Sequence, residues 1–121
     1  MKKILSIEDD SSLQKTLVDF LKKQNYKVFS ASDGLNGLEL AKNEKPDIIL
    51  LDLILPKLEG FSVLEELKSN DLTRNIPIII TTNLEQPENI EKAIEKGAAA
   101  YLVKNQYTLK ELLGKIKENI K

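Results

Sequence analysis

Two rhythms of apolar and polar positions alternate along the chain. Short apolar runs rich in β-branched residues recur at residues 3–7 (KILSI), 26–31 (YKVFSA), 47–51 (DIILL), 76–81 (IPIIIT) and 100–103 (AYLV). Between them, apolar residues return every three or four positions. Leu13, Leu17, Phe20 and Leu21 form the first such set; Leu35, Leu38 and Ala41 the second; Phe61, Leu64 and Leu67 the third; Ile90, Ala93 and Ile94 the fourth; Leu109, Leu112, Leu113, Ile116 and Ile120 the last. The first rhythm predicts strands and the second predicts helices with one apolar face. Ser11, with Gln14 three residues on, reads as a capping box at the first helix. Asp33-Gly34 reads as a turn, Pro46 stops the second helix, and Pro56 and Gly60 punctuate a loop. Pro77 opens the fourth strand, where strands tolerate it, and Gly97 closes the fourth helix. The run DIILL is apolar throughout, as expected of a central parallel strand covered on both faces. Strand and helix alternate through five pairs, which predicts a doubly wound α/β fold: a five-stranded parallel sheet with five helices on its two faces.

A length of 121 residues suits one domain, expected to run over residues 1–121. The formal net charge of −1 offers no nucleic-acid or membrane surface. The chain has no histidine and no cysteine, which excludes imidazole triads, thiolate metal sites and disulfides. The apolar run after Lys2 and Lys3 is too short for a signal peptide, and the longest apolar stretch, residues 48–55, is interrupted by Asp52. A cytoplasmic location is therefore expected.

In a doubly wound sheet, ligands gather beyond the C-terminal strand ends, where the winding reverses. The unusual polar residues all fall there: Glu8, Asp9 and Asp10 after the first strand, Asp52 after the third, Thr81 and Thr82 at the fourth, and Lys104 after the fifth. Asp52 stands out most, because an ionised carboxylate amid apolar residues needs partners. The acids of residues 8–10 alone fit a bland reading, a solvated loop or a helix start, as well as a functional one. Facing Asp52, they call for a hard cation, and oxygen ligands without His or Cys suit Mg²⁺. Taken singly, Lys104 fits an ordinary surface lysine, Thr82 a turn residue and Tyr101 a core aromatic.

Together, the motifs ILSIEDD, DIILLDLILPKLEG, IPIIITTN and GAAAYLVK, followed by a terminal amphipathic helix, resemble the receiver domain of two-component response regulators. The likeness to its single-domain chemotaxis type covers residues 1–121. It implies a flavodoxin-like sheet in the order 2-1-3-4-5. It also implies that Asp52 is the phosphoacceptor, and that Asp9 ligates Mg²⁺ directly while Glu8 acts through water. Asp52 and the backbone carbonyl of Ile54 complete the metal contacts. Lys104 would bind the phosphoryl oxygens, Thr82 would be the switch hydroxyl and Tyr101 the switch aromatic. The donor would be a phosphohistidine on a histidine kinase or histidine phosphotransfer protein. The response would appear on the surface of the fourth helix, fifth strand and fifth helix, read by a downstream protein. A monomer is expected, with phosphorylation-dependent dimerisation as the alternative.

Two positions depart from the family pattern. Asn105 stands where a cis proline is usual; a cis bond before asparagine costs about 3–4 kcal/mol, so a trans bond is expected. Asn83 stands where a small residue is usual. The end of the chain soon after the last helix favours a stand-alone switch. The alternatives are a receiver cut from a longer regulator and a degenerate receiver serving only as an interaction module. A phosphatase of the haloacid-dehalogenase type would need a second aspartate two residues after Asp52, and that residue is Ile54. The expectation is therefore a switch and not an enzyme.

Overall fold

A computed structural model describes residues 1–120; Lys121, the last residue of the expected domain, lies outside the described residues. The elements run β1 (Lys3–Ile7), α1 (Ser11–Lys23), β2 (Lys27–Ala31), α2 (Gly34–Glu44), β3 (Ile48–Leu51), α3 (Gly60–Ser69), β4 (Ile78–Thr82), α4 (Pro87–Glu95), β5 (Ala100–Val103) and α5 (Leu109–Asn119). A single 3₁₀ turn, Lys104–Gln106, links β5 to α5. The strands form one parallel sheet in the order β2-β1-β3-β4-β5, so the expected topology holds.

Alternation along the strands sends side chains to two cores. Leu5, Ile7, Ile49, Leu51, Ile78 and Ile80 meet Leu38, Ala41, Val63, Leu64, Leu67 and Ala93 from α2, α3 and α4. Ile4, Ile48, Leu50 and Ile79 meet Leu17, Leu21, Leu112 and Ile116 from α1 and α5. All four residues of β3 are buried, as its unbroken apolar run predicted. Each fully buried Leu or Ile contributes roughly 1.5–3 kcal/mol.

Several expected boundaries move. The cap of α1 is Asp10, whose Oδ1 accepts the Leu13 N–H at 3.1 Å, and Ser11 is already helical. No Ser11–Gln14 capping box forms, because an aspartate one position earlier takes the free amide and Gln14 turns inward. A true capping box does exist at α5, where Thr108 and Glu111 exchange side-chain-to-backbone bonds. Asp33-Gly34 is not a free turn: Asp33 caps α2 through the Asn36 N–H at 2.8 Å, and Gly34 is its first residue. Gly60 likewise opens α3 instead of lying in the loop. Tyr26, Asp47 and Pro77 fall just outside their strands, and β4 extends to Thr82.

Leu35 and Ile94 were expected on buried helix faces and are exposed. The buried face of α2 is instead Gly34, Gly37, Leu38 and Ala41. A side chain at Gly37 would meet Ile7 at 2.6 Å, so α2 lies too close to β1 for Leu35 to turn inward. No peptide bond among the described residues is cis, so Lys104-Asn105 is trans as expected.

Candidate functional site

The C-terminal edge of the sheet gathers the candidate residues. Register places Ile7 beside Leu51 and Leu51 beside Ile80, so the chain leaves β1 and β3 at one level while β4 runs two residues further, to Thr82. The Asp52 N–H still donates to Ile7 O at 3.1 Å, which extends the ladder one step and aims the carboxylate at the residues after β1. Asp52 and Glu8 are each 3% exposed, whereas Asp9 is exposed. One carboxylate oxygen from each of the three lies within 4.8 Å of the others.

Lys104 closes the cluster. Its Nζ lies 2.7 Å from Asp52 Oδ2 and 2.5 Å from Glu8 Oε1. Both buried acids have their other oxygen held by backbone: Ile54 N–H donates to Asp52 Oδ1 at 3.1 Å, and Asp10 N–H donates to Glu8 Oε2 at 3.0 Å. Those bonds fix both carboxylates in rotation. Asp9 has no side-chain hydrogen bond among the described residues, so its oxygens are open to an incoming ligand. Burial holds the Glu8 carboxyl above its ordinary range, against the pull of Lys104 and the Asp10 N–H, with the charge of Asp52 adding to the rise. Burial alone would lower Lys104, but its bonds to Asp52 and Glu8 outweigh this and hold the ammonium above its usual range. Three acids against one lysine leave the cluster short of positive charge. All-oxygen donors of this kind fit a hard divalent cation such as Mg²⁺.

The remaining candidates sit beside this core. Thr82 is fully buried at the end of β4, and its Oγ1 accepts only a long bond from Leu84 N–H, at 3.5 Å. Tyr101 pairs with Ile80 in the sheet, and its hydroxyl donates to Leu84 O at 2.8 Å. Ile54 joins the site through its backbone; its side chain is exposed. Asn83 is exposed at the rim. Two contributors were not foreseen. Gln14 bonds into the ends of β1 and β2, and Gly60 lets α3 rest on the backbone of Asp52 and Leu53. Ser6 was the available signal for Gln14, since a serine inside an apolar strand needs a polar partner.

Comparison with protein-family models matches residues 4–117 to the response regulator receiver domain. The chain belongs to this family. Receiver domains are phosphoacceptor switches of two-component systems, taking a phosphoryl group from histidine kinases or phosphotransfer proteins and binding Mg²⁺ in an acidic pocket. Among relatives, the DNA-binding dual master transcriptional regulator RpaA of Synechocystis sp. is 35% identical over 97% of this chain and 48% of its own length. The receiver chain thus spans about half the length of this and other curated relatives. A CheY-like receiver domain protein from Methanospirillum hungatei superposes with a TM-score of 0.91 at 31% identity, over 98% of this chain and 92% of its own. The receiver domain of the sensor histidine kinase PA1611 of Pseudomonas aeruginosa superposes at 0.89 with 28% identity, over 98% and 96%; its structure carries a magnesium ion in the active-site cleft. Among the described residues, no helix of this receiver domain is long and apolar enough to cross a membrane.

Proposed function

We propose that Asp52 is the phosphoacceptor of this receiver domain. The observation that carries this reading is the buried Asp52 carboxylate bonded to Lys104 Nζ at 2.7 Å, with Glu8 and Asp9 beside it. A phosphohistidine on a partner kinase or phosphotransfer protein is the donor. An Asp52 oxygen attacks phosphorus, the P–N bond breaks, and the histidine nitrogen leaves with its electron pair. Lys104 turns from the carboxylate to the transferred phosphoryl oxygens and offsets their charge. Asp9, Asp52 and the Ile54 carbonyl would hold Mg²⁺ directly, with Glu8 acting through water. The cation would supply charge neutralisation for the in-line transfer. The magnesium-bearing PA1611 receiver lends this assignment support by analogy.

Thr82 then donates its hydroxyl to the new phosphoryl group, and the change passes through Leu84 and Tyr101 to the surface of α4, β5 and α5. This is a two-state element biased by one added anion. The phosphoryl group stays on the protein, so the chain acts as a switch and not as a turnover enzyme. A haloacid-type hydrolase lacks its second aspartate here, since that position is Ile54. We place the domain in the cytoplasm, with a protein target reading the α4-β5-α5 face.

Mass spectrometry after acetyl phosphate and Mg²⁺ tests the reading. One added phosphoryl group is expected in the wild type and none in Asp52→Asn. Labelling that persists in Asp52→Asn would move the acceptor elsewhere. No labelling by acetyl phosphate or by phosphorylated kinase would leave an interaction module.

A further inference from the structure

Ser6 lies within β1, 1% exposed, on the face where its neighbours are Ile4, Ile48 and Leu50. A hydroxyl in such surroundings needs a hydrogen-bond partner. Gln14, on the first turns of α1, provides it: Ser6 Oγ donates to Gln14 Oε1 at 2.6 Å. The same amide then does more. Its Nε2 donates to Ser6 O at 3.0 Å and to Ala31 O at 3.1 Å, and lies 3.4 Å from Glu8 O. An amide nitrogen has two N–H groups, so the two shorter bonds carry the tie.

Those carbonyls sit at the edge of the sheet. Ala31 O also accepts the Glu8 N–H at 3.0 Å, so the last carbonyl of β2 is shared between Glu8 and Gln14. The backbone N–H of Gln14 donates to Asp10 O at 2.9 Å, and the Asp10 N–H donates to Glu8 Oε2. Residues 6–10 are thus held by Gln14 at both ends of the turn that carries two acids of the cluster. Among the described residues Asp9 has no side-chain bond of its own, so the backbone sets the direction of its carboxylate.

We infer that Gln14 is a positioning residue for the cation site, fixing the direction in which β1 delivers Glu8 and Asp9. The inference rests on the divalent-cation reading of the acidic cluster. Groups that orient ligands without touching the ion change metal affinity by about 10–100-fold when removed. Gln14 acts through the backbone and touches no reacting atom.

The test measures Mg²⁺ affinity of the unphosphorylated protein by calorimetry, together with the thermal midpoint without Mg²⁺. The double variant Ser6→Ala/Gln14→Leu removes the pair without leaving a buried orphan. It is expected to bind Mg²⁺ about tenfold more weakly at a midpoint close to wild type. Ser6→Ala alone keeps the ties from Nε2 to the carbonyls and is expected to bind like wild type. Gln14→Asn keeps an amide but is one methylene too short to reach Ala31. It serves if the double variant does not fold, and it too is expected to weaken binding. Wild-type affinity in both the double variant and Gln14→Asn would overturn the role of Gln14 and leave the cation site standing. A wild-type protein that takes no Mg²⁺ would overturn the cation reading itself, and this inference with it.

Discussion

At the scale of single residues, the site is an unbalanced set of charges. Lys104 is bonded to two buried acids, and each acid is also pinned by a backbone N–H. Removing one member of a buried pair leaves an uncompensated charge, which typically costs 3–5 kcal/mol. Lys104→Met is therefore expected to lose roughly 3 kcal/mol of stability in EDTA. Mg²⁺ should restore part of that loss by taking over the neutralising role. Urea unfolding with and without Mg²⁺ reads both; equal losses in the two buffers would mean that the cation and Lys104 do not share the same acids. The three acids of residues 8–10 should also separate. Asp9→Ala is expected to weaken Mg²⁺ binding most, and Glu8→Ala less because Glu8 is already held by Lys104 and Asp10. Asp10→Ala should weaken it least and instead lower stability by about 1 kcal/mol, the usual worth of a helix cap. Calorimetric Mg²⁺ titration of the three variants gives the order, and Asp10→Ala as the weakest binder would contradict the assignment.

At the scale of elements, the site depends on how closely α2 and α3 approach the strand ends. A methyl group at Gly60 would lie 2.4 Å from Asp52 O and 2.3 Å from Leu53 Cα, so α3 can start only where no side chain intervenes. Gly34 does the same for α2 against Leu58 O at 2.2 Å. Gly60→Ala is expected to cost about 2 kcal/mol, in the range of overpacked cores. It should also slow acetyl-phosphate labelling, because the backbone that moves carries Asp52, the proposed acceptor. Normal labelling kinetics in a destabilised Gly60→Ala would uncouple α3 placement from the chemistry.

These close approaches mark the limit of sequence reading. Strand and helix order followed from apolar rhythm, because burial on two faces writes itself into the pattern. Asp52, Glu8, Asp9 and Lys104 were legible because polar residues at strand ends break that pattern. Spacing puts the cap of α1 one step late, at Ser11, and reads Asp33 as a turn, since several adjacent residues could cap and only the path of the chain selects one. Helical spacing alone turns Leu35 inward, because it carries no information on how near the next layer lies. Sequence proximity gives Gln14 only a local role, because its partners, Ser6 and Ala31, are brought near it only by the fold.

At the scale of the whole molecule, the proposed switch requires the chemistry at one edge of the sheet to reach the α4-β5-α5 face. The connecting segment is residues 83–86, which follows Thr82 directly. Two side chains from the β5 side hold it: Tyr101 OH donates to Leu84 O at 2.8 Å, and Gln106 Nε2 donates to Glu85 Oε1 at 2.8 Å. These two residues flank Lys104 in sequence, so in the proposed switch a shift of Lys104 toward a phosphoryl group and a shift of Thr82 would act on the same segment. The ties are unequal. The Tyr101 bond is partly buried and its loss leaves a carbonyl poorly solvated, whereas the Glu85–Gln106 bond is exposed and water replaces it readily. Tyr101→Phe is therefore expected to speed amide hydrogen exchange across residues 83–86 and to lower stability by about 1 kcal/mol. Gln106→Ala should change either quantity far less. Hydrogen-exchange mass spectrometry of the unphosphorylated proteins measures the difference. Faster exchange in Tyr101→Phe alone would identify the tyrosine hydroxyl as the tie that the phosphoryl group must work against or reinforce. Unchanged exchange would show that packing of Leu84, and not its carbonyl bond, holds the segment in place.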